Sequence, residues 1–492
     1  MGRKVLIFGS GAVIGALVAV AIGCLQIRSP KVVVREPAAP GESTLTYTPP
    51  PEATLSAEMA AKAAPMLLTM ISPKIVKVKD GVYVAMGYAL GNVAMVVTDD
   101  GLVIVDTTER EEAAKKIMAE FRKISDQPVR YVVYTHFHPD HTQGTRAFMG
   151  PGTRVIATRA FLYWIAYQNE LLGTHHRRSR ATQAGLREPE WAFDMPISRN
   201  PFLGAWKKPE VVMPTITFED DYSFTLGGKR FELFATQGET EDHLAMWMPD
   251  ERVLFVGDLY YKSFPNLSTP MLESRPVQGW IDSLTRFIGM KPEYLVLGHT
   301  EPLQGADLIA EHLTNYRDAV EYVHDETVRC INEGKTVDQA VAEIKLPERL
   351  AKLDYLNPAY GRVDWSVRGI YHGYKGWYDG QGTALNPLPP QYRARELVQL
   401  AGGADKILAR AIELQKNGEH QLTAELCDLV IAANPADKLA HRIKAASMQY
   451  MAYGFNNLNC FGFYRSAYSL EMKAAGEPPR SEKSSDAQGV SK

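Results

Sequence analysis

This sequence of 492 residues is short of two things, cysteine and any imbalance of charge. Its four cysteines, Cys24, Cys330, Cys427 and Cys460, are scattered, and none forms a CxxC pair. They support neither a disulfide framework nor a zinc site made of thiolates. The formal net charge of −3 leaves no basic surplus. Nothing therefore favours nucleic acid as a partner through neutralised phosphates. With 45% apolar and 23% charged residues, the chain has the composition of a globular protein with a real core.

One long stretch lacks charge altogether. Val5 to Ile27 carries none, and Arg3 and Lys4 precede it. At about 1.5 Å per residue it reaches roughly 35 Å, enough to cross the hydrocarbon core of a bilayer. The basic residues before it place Met1 in the cytoplasm and everything after Arg28 on the far side. A cleaved signal, including a lipoprotein type ending at Cys24, and a buried helix are the alternatives. The expectation is an exported, periplasmic or extracytoplasmic protein, associated with the membrane through this segment. Residues 29–56 are rich in Pro, Thr and Glu without helical periodicity and read as an extended tether.

Between about residues 75 and 300, strand-like and helix-like runs alternate. YVAMGY and NVAMVVTDDGLVIVDTT read as strands, with Asp99-Asp100-Gly101 as a hairpin turn. REEAAKKIMAEFRKI reads as an amphipathic helix and VRYVVYT as a buried strand. RVLFVGD and EYLVLGH repeat the strand pattern downstream, so the fold class is α/β. Residues 305–345 and 390–455 are helical in spacing. HQLTAELCDLVIAANPADKLAHRIKAA predicts two antiparallel helices, and a single such pair is not a repeat array.

The strongest chemical signal is THFHPDHTQG at 135–144. In an extended segment His136 and His138 project to the same side, so both imidazoles can meet one ion. Asp140 and His141 follow where the chain turns, and can reach a second ion about 3.5–4 Å away. A second crowd of ligand types stands in TQGETEDH, where Glu239, Glu241, Asp242 and His243 fill four of five positions.

The HxHxDH pattern resembles the metallo-β-lactamase superfamily. That resemblance implies an αββα sandwich with further ligands at strand ends. Asp258, closing RVLFVGD, stands where the superfamily places a bridging carboxylate, and His299, closing EYLVLGH, where it places the last ligand. Where most of the superfamily has Gly-His-Thr, this chain has Gly238-Glu239-Thr240, followed by Trp247-Met248-Pro249. This substitution resembles the type III alkylsulfatases, zinc enzymes that hydrolyse alkyl sulfate esters. Asn266-Leu267-Ser268-Thr269, HDETVRC at 324–330, GYKGWYDG at 373–380 and LAGGADKILARA at 400–411 extend the likeness over residues 75 to 470.

The resemblance implies two zinc ions per chain. His136, His138 and Glu239 would hold one, and Asp140, His141 and His299 the other. Asp258 and a hydroxide would bridge them, which makes Asp140 and Asp258 the catalytic carboxylates. Asn266 and Arg329 would hold the sulfate, with Arg275 in place of a second arginine. His243 remains an alternative ligand, or a donor to a metal-bound carboxylate. Glu241 and Asp242 read as solvated turn residues. Two departures stand out: Trp365 occupies a place where a histidine is expected, and HHRRSRATQAG keeps Arg177 and Arg178 but lacks tyrosines. FLYWIAY at 161–167 could pack in the core or line an alkyl groove.

The expected organisation is an anchor or signal over 1–28, the tether over 29–56 and a catalytic domain over 57–310. A helical extension over 311–385 would complete the substrate site. A helical, dimerisation-like domain over 386–472 and a disordered tail over 473–492 would follow, with a homodimer as the assembly. The function expected is hydrolysis of a small-molecule alkyl sulfate. Other hydrolyses on this fold (lactam, lactone, thioester or phosphoester), an iron-dependent oxidoreductase and a non-catalytic scaffold are the alternatives.

Overall fold

The computed structural model describes residues 45–51, 72–170, 211–271 and 275–477. The expected membrane segment, most of the tether, the Arg177-Arg178 stretch and the tail after residue 477 lie outside the described residues. Leu45–Lys492 forms a compact unit of its own.

Strands buried on both faces explain the sheet core. In β4 (Gly101–Val105) every residue is buried. Leu102 and Ile104 face helices, while Val103 and Val105 face a second sheet. The first sheet runs in sequence order through β1 (Lys74–Lys79), β2 (Val82–Met86), β3 (Val93–Thr98), β4, β5 (Val129–Val133), β6 (Arg154–Thr158) and β7 (Ile216–Phe218). It is antiparallel up to β4 and parallel from there to β7. The turn between β3 and β4 falls at the Asp-Asp-Gly signal, with Gly101 at φ +138°.

The second sheet comprises β8 (Asp221–Leu226), β9 (Lys229–Ala235), β10 (Leu244–Met248), β11 (Val253–Phe255), β12 (Tyr294–Val296) and β13 (Leu303–Gln304), again side by side. The inner faces of both sheets share one apolar core, including Val84, Val103, Val133, Phe231, Met246 and Phe255. Helices α1 (Glu111–Arg122) and α3 (Ala160–Glu170) cover the first sheet through Ile117, Phe121 and Phe161. Helices α4 (Val277–Met290) and α5 (Ala306–Asn332) cover the second through Trp280, Leu284, Leu313 and Tyr316. A one-turn helix, α2 (Pro139–Thr142), follows β5. The result is the expected αββα sandwich. In α3 the core reading of FLYWIAY holds for Phe161 and Ile165, which are buried, whereas Leu162, Tyr163 and Tyr167 are exposed.

Helices then follow one another. They are α6 (Val337–Glu343), α7 (Glu348–Ala351), α8 (Val363–Lys375), α9 (Pro390–Leu400), α10 (Ala404–Lys416), α11 (His420–Ala433), α12 (Lys438–Gly454) and α13 (Leu458–Ala474). The expected pair joined at Asn434-Pro435 is α11 and α12.

The tether reading fails for its described part. Leu45 and Tyr47 pack against the core of α10–α12. The Tyr47 hydroxyl donates to Gln415 Oε1 at 2.8 Å, and the Tyr450 hydroxyl donates to the Pro51 carbonyl at 2.7 Å. Gln415 is itself buried, and its amide donates to the Ile443 carbonyl and the Ser447 hydroxyl. Tyr47→Phe leaves Gln415 Oε1 without this donor, and a loss of about 1–3 kcal/mol is expected. Thermal unfolding of the full chain would check it.

Candidate metal centre

Five strand ends converge on one edge of the sandwich, and main-chain bonds between the sheets fix that edge. Leu244 N–H donates to the Thr135 carbonyl at 2.7 Å, and Asn92 N–H to the Gly298 carbonyl at 2.8 Å. The Asn92 amide adds bonds to the Leu297 and Thr300 carbonyls. Glycine is required where side chains of the centre crowd the main chain. A Cβ on Gly298 would lie 2.3 Å from Asp258 Oδ1, and one on Gly257 would lie 2.6 Å from His243 Nε2.

All seven expected ligands come together here, in two groups. His136, His138, Glu239 and Asp258 form one, and Asp140, His141 and His299 the other. Asp258 belongs to both by distance. Its Oδ2 lies 4.0 Å from His136 Nε2, 3.4 Å from His141 Nε2 and 3.1 Å from His299 Nε2. Asp140 Oδ2 lies 3.7 Å from His141 Nε2 and 3.4 Å from His299 Nε2. Glu239 Oε1 lies 3.6 Å from His138 Nδ1, which faces His136 Nε2 at 2.9 Å.

The outward nitrogens of three rings are tied down, which turns their other nitrogens toward the centre. His141 Nδ1 donates to Asp106 Oδ2 at 2.8 Å, and His299 Nδ1 to the Leu90 carbonyl at 3.0 Å. His136 Nδ1 donates to Thr135 Oγ1 at 3.0 Å, and that hydroxyl donates to Asp106 Oδ2. Four imidazoles and three carboxylates with inward electron pairs suit divalent metal ions. Asp106, which also accepts from Thr135 N–H, escaped the sequence reading. It closes the GLVIV strand as Asp258 closes VLFVG, and that parallel was the available signal.

The TQGETEDH stretch sorts itself by burial. Glu239 is buried in the ligand group, whereas Glu241 is exposed. Asp242 is not a solvated turn residue: it is buried, and desolvation pushes its carboxyl up to about 7. His243 is neither a ligand nor a donor to a carboxylate. Burial holds it down to about 3, so it is neutral. Its Nδ1 donates to Thr236 Oγ1 at 2.8 Å, and its Nε2 accepts from the Asp258 main-chain N–H at 3.3 Å.

The anion-binding expectations need one correction. Arg329 lies in the last turn of α5, and its guanidinium is taken up by Glu326, Glu333 and Glu343. That network sits on a partly exposed face, so Arg329 is not brought to the metal centre. Arg275 is buried and pairs directly with Glu239. Asn266 is buried and its main-chain N–H donates to the Tyr261 hydroxyl at 2.7 Å. Asn266 Oδ1 and Thr269 Oγ1 are buried with no hydrogen-bond partner among the described residues. Trp365 packs on Phe463, at 6.0 Å between ring centroids, and under Arg362.

Charges in this buried cluster shift one another. Burial opposes a charged His299, but Asp258 and Asp140 hold it up at about 10. The same balance of burial against Asp258, Asp106 and Asp140 keeps His141 well above its ordinary range. Desolvation raises Glu239 to about 8, against the pull of Arg275. Below those values each group holds a proton that a metal ion must displace. Metal uptake near pH 7 is therefore expected to release protons, with affinity rising as pH approaches 8; titrating metal-free protein at several pH values in weak buffer would test this. Glu239→Ala should cost one bound ion and Glu241→Ala none, as read by elemental analysis of each variant.

Comparison with known proteins agrees with this geometry. Residues 87–299 match the family described as Metallo-beta-lactamase superfamily, and residues 336–473 the one described as Alkyl sulfatase dimerisation. A linear primary-alkylsulfatase of Pseudomonas sp. is 36% identical over 394 residues, 78% of this chain and 74% of that protein. An (R)-specific secondary-alkylsulfatase of Pseudomonas sp. is 27% identical over 404 residues, 79% of this chain and 60% of that one. Among solved structures, a stereoselective inverting sec-alkylsulfatase from Pseudomonas sp. shares the fold, with TM-score 0.76 and 24% identity over 88% of this chain and 80% of that one. A metal-ligand edge on an αββα sandwich, followed by a helical region that matches the alkyl sulfatase dimerisation family, makes this chain a metal-dependent hydrolase of the alkylsulfatase family.

Proposed function

We propose that this hydrolase cleaves alkyl sulfate esters to alcohol and inorganic sulfate, with two zinc ions in the two ligand groups. The observation that carries the substrate is the buried Arg275 against Glu239. A desolvated guanidinium needs a negative partner. Once an ion takes Glu239, the charge of Arg275 becomes available to an anionic substrate. Its planar fork matches the non-bridging oxygens of a sulfate monoester.

The neighbouring loop supports the same reading. Arg275 N–H donates to the Leu267 carbonyl at 3.2 Å, which fastens it to the segment carrying Asn266 and Thr269. The buried side-chain oxygens of those two residues await polar partners. Together the three side chains orient a small tetrahedral anion. The names of the relatives, linear primary-alkylsulfatase and (R)-specific secondary-alkylsulfatase, describe esters of this class.

Zinc is favoured by a donor set of imidazole and carboxylate without thiolate. His136, His138 and Glu239 would hold one ion and Asp140, His141 and His299 the other, with Asp258 facing both. Bound zinc would supply Lewis acidity and lower the pKa of water toward about 7. The chain's part is to fix the ligands through Asp106, Thr135 and His243, and to hold the ester through Arg275, Asn266 and Thr269. A homodimer is supported by the match of residues 336–473 to the dimerisation family. Export and membrane association are supported by the uncharged run from Val5 to Ile27 behind Arg3 and Lys4.

Turnover of dodecyl sulfate should exceed that of a chromogenic lactam and an aryl phosphate; turnover of the latter two alone would overturn the reading. Arg275→Ala should lower kcat/KM for the sulfate on the order of 100-fold, the scale of a lost buried charge contact. Arg329→Ala should stay within about two-fold, since its surface ion pairs contribute little.

A further inference from the structure

The segment Asn357–Gly361 joins the metal centre to the helical domain, and the sequence reading gave it no role. One side of it is fastened beside the Asn266 loop. Phe264 N–H donates to the Asn357 carbonyl at 2.8 Å, and Gly361 N–H returns to the Phe264 carbonyl at 3.0 Å. Ser263 Oγ donates to the Asn357 carbonyl at 2.9 Å and accepts from Tyr360 N–H at 3.0 Å. A Cβ at Gly361 would lie 2.0 Å from the Pro265 carbonyl oxygen, so no larger residue permits this approach.

The other side is held by the start of α13. Asn457 Nδ2 donates to the Pro358 and Tyr360 carbonyls at 2.7 and 3.0 Å, and Asn459 Nδ2 to the Tyr360 carbonyl at 2.9 Å. Leu458 N–H donates to the Ala359 carbonyl at 2.8 Å. Asn457 Oδ1 meanwhile caps α13 by accepting from Cys460 N–H. Both asparagines are buried. An amide that caps a helix and fixes a distant loop commits the helical domain to one position of Tyr360.

That position lies beside the loop that carries Asn266. The Tyr360 ring meets Tyr261 edge-on at 5.6 Å, and the Tyr261 hydroxyl accepts from Asn266 N–H. The phenol's electrostatic neighbours are Glu239, Arg275, Asp140 and Asp258. A phenol is a compact neutral donor, suited to an anionic oxygen beside a guanidinium.

We propose that the Tyr360 hydroxyl is a further donor to the sulfate group of the substrate, and that Asn457 and Asn459 are its positioning residues, which makes the helical domain part of the active site. This rests on the alkyl sulfate reading above. Tyr360→Phe keeps the ring and removes the donor. It should lower kcat/KM for dodecyl sulfate roughly 10-fold to 100-fold and weaken inorganic sulfate binding to the metal-loaded protein, seen by calorimetry, with metal content unchanged. Asn459→Ala should lower kcat/KM in the native background and do nothing further in the Tyr360→Phe background. Unchanged turnover and sulfate affinity in Tyr360→Phe would overturn the donor, and additive effects would overturn the positioning. A wild-type chain inactive on dodecyl sulfate would refute the substrate reading instead, and sulfate affinity alone would then decide the role of Tyr360.

Discussion

Asp258 carries a charge that has been removed from water, and much of the structure serves to keep it charged. Its carboxylate lies within 4.0 Å of three imidazoles, and His299 and His141 hold it well below the ordinary carboxylate range against the cost of burial. A buried, ionised carboxylate needs several partners at once. Those partners come from the ends of different strands, so both sheets must stop at the same edge. The main-chain bonds from Leu244 to Thr135 and from Asn92 to Gly298 enforce this, and Gly257 and Gly298 leave room for the His243 and Asp258 side chains.

Around this carboxylate the outer contacts divide the labour. Asp106 orients His141 directly and His136 through Thr135, so one acid governs a ring in each ligand group. It sits at φ +56°, a conformation few non-glycine residues adopt. Strain at a residue that aims two ligands is consistent with a constraint imposed by the site. Neutral His243 supports Asp258 from behind by accepting its main-chain N–H. The helical region in turn holds the segment carrying Tyr360, through Asn457 and Asn459.

Much of this was legible in the residues. Strands buried on both faces write themselves as unbroken apolar runs, so VRYVVYT, RVLFVGD and EYLVLGH marked both the sheets and the positions where ligands emerge. Spacing in HxHxDH is a local property, fixed by strand pleat and one turn of helix. Glu239 could be separated from Glu241 because it stands where the superfamily that the chain resembles has a histidine. The fate of Asp242 could not, because neighbours distant in sequence bury it.

The sequence by itself determined the α/β pattern and the HxHxDH motif, and its resemblance carried the sandwich, the sulfatase family and the seven candidate ligands that the fold brings together. Tertiary structure alone decided which arginine is buried beside the ligand groups. Arg275 and Arg329 are chemically equal in a sequence. Glu326, Glu333 and Glu343 take up Arg329 at the surface, while Arg275 is buried against Glu239. Burial and pairing are properties of tertiary contacts, and they separate a surface ion pair from a buried one.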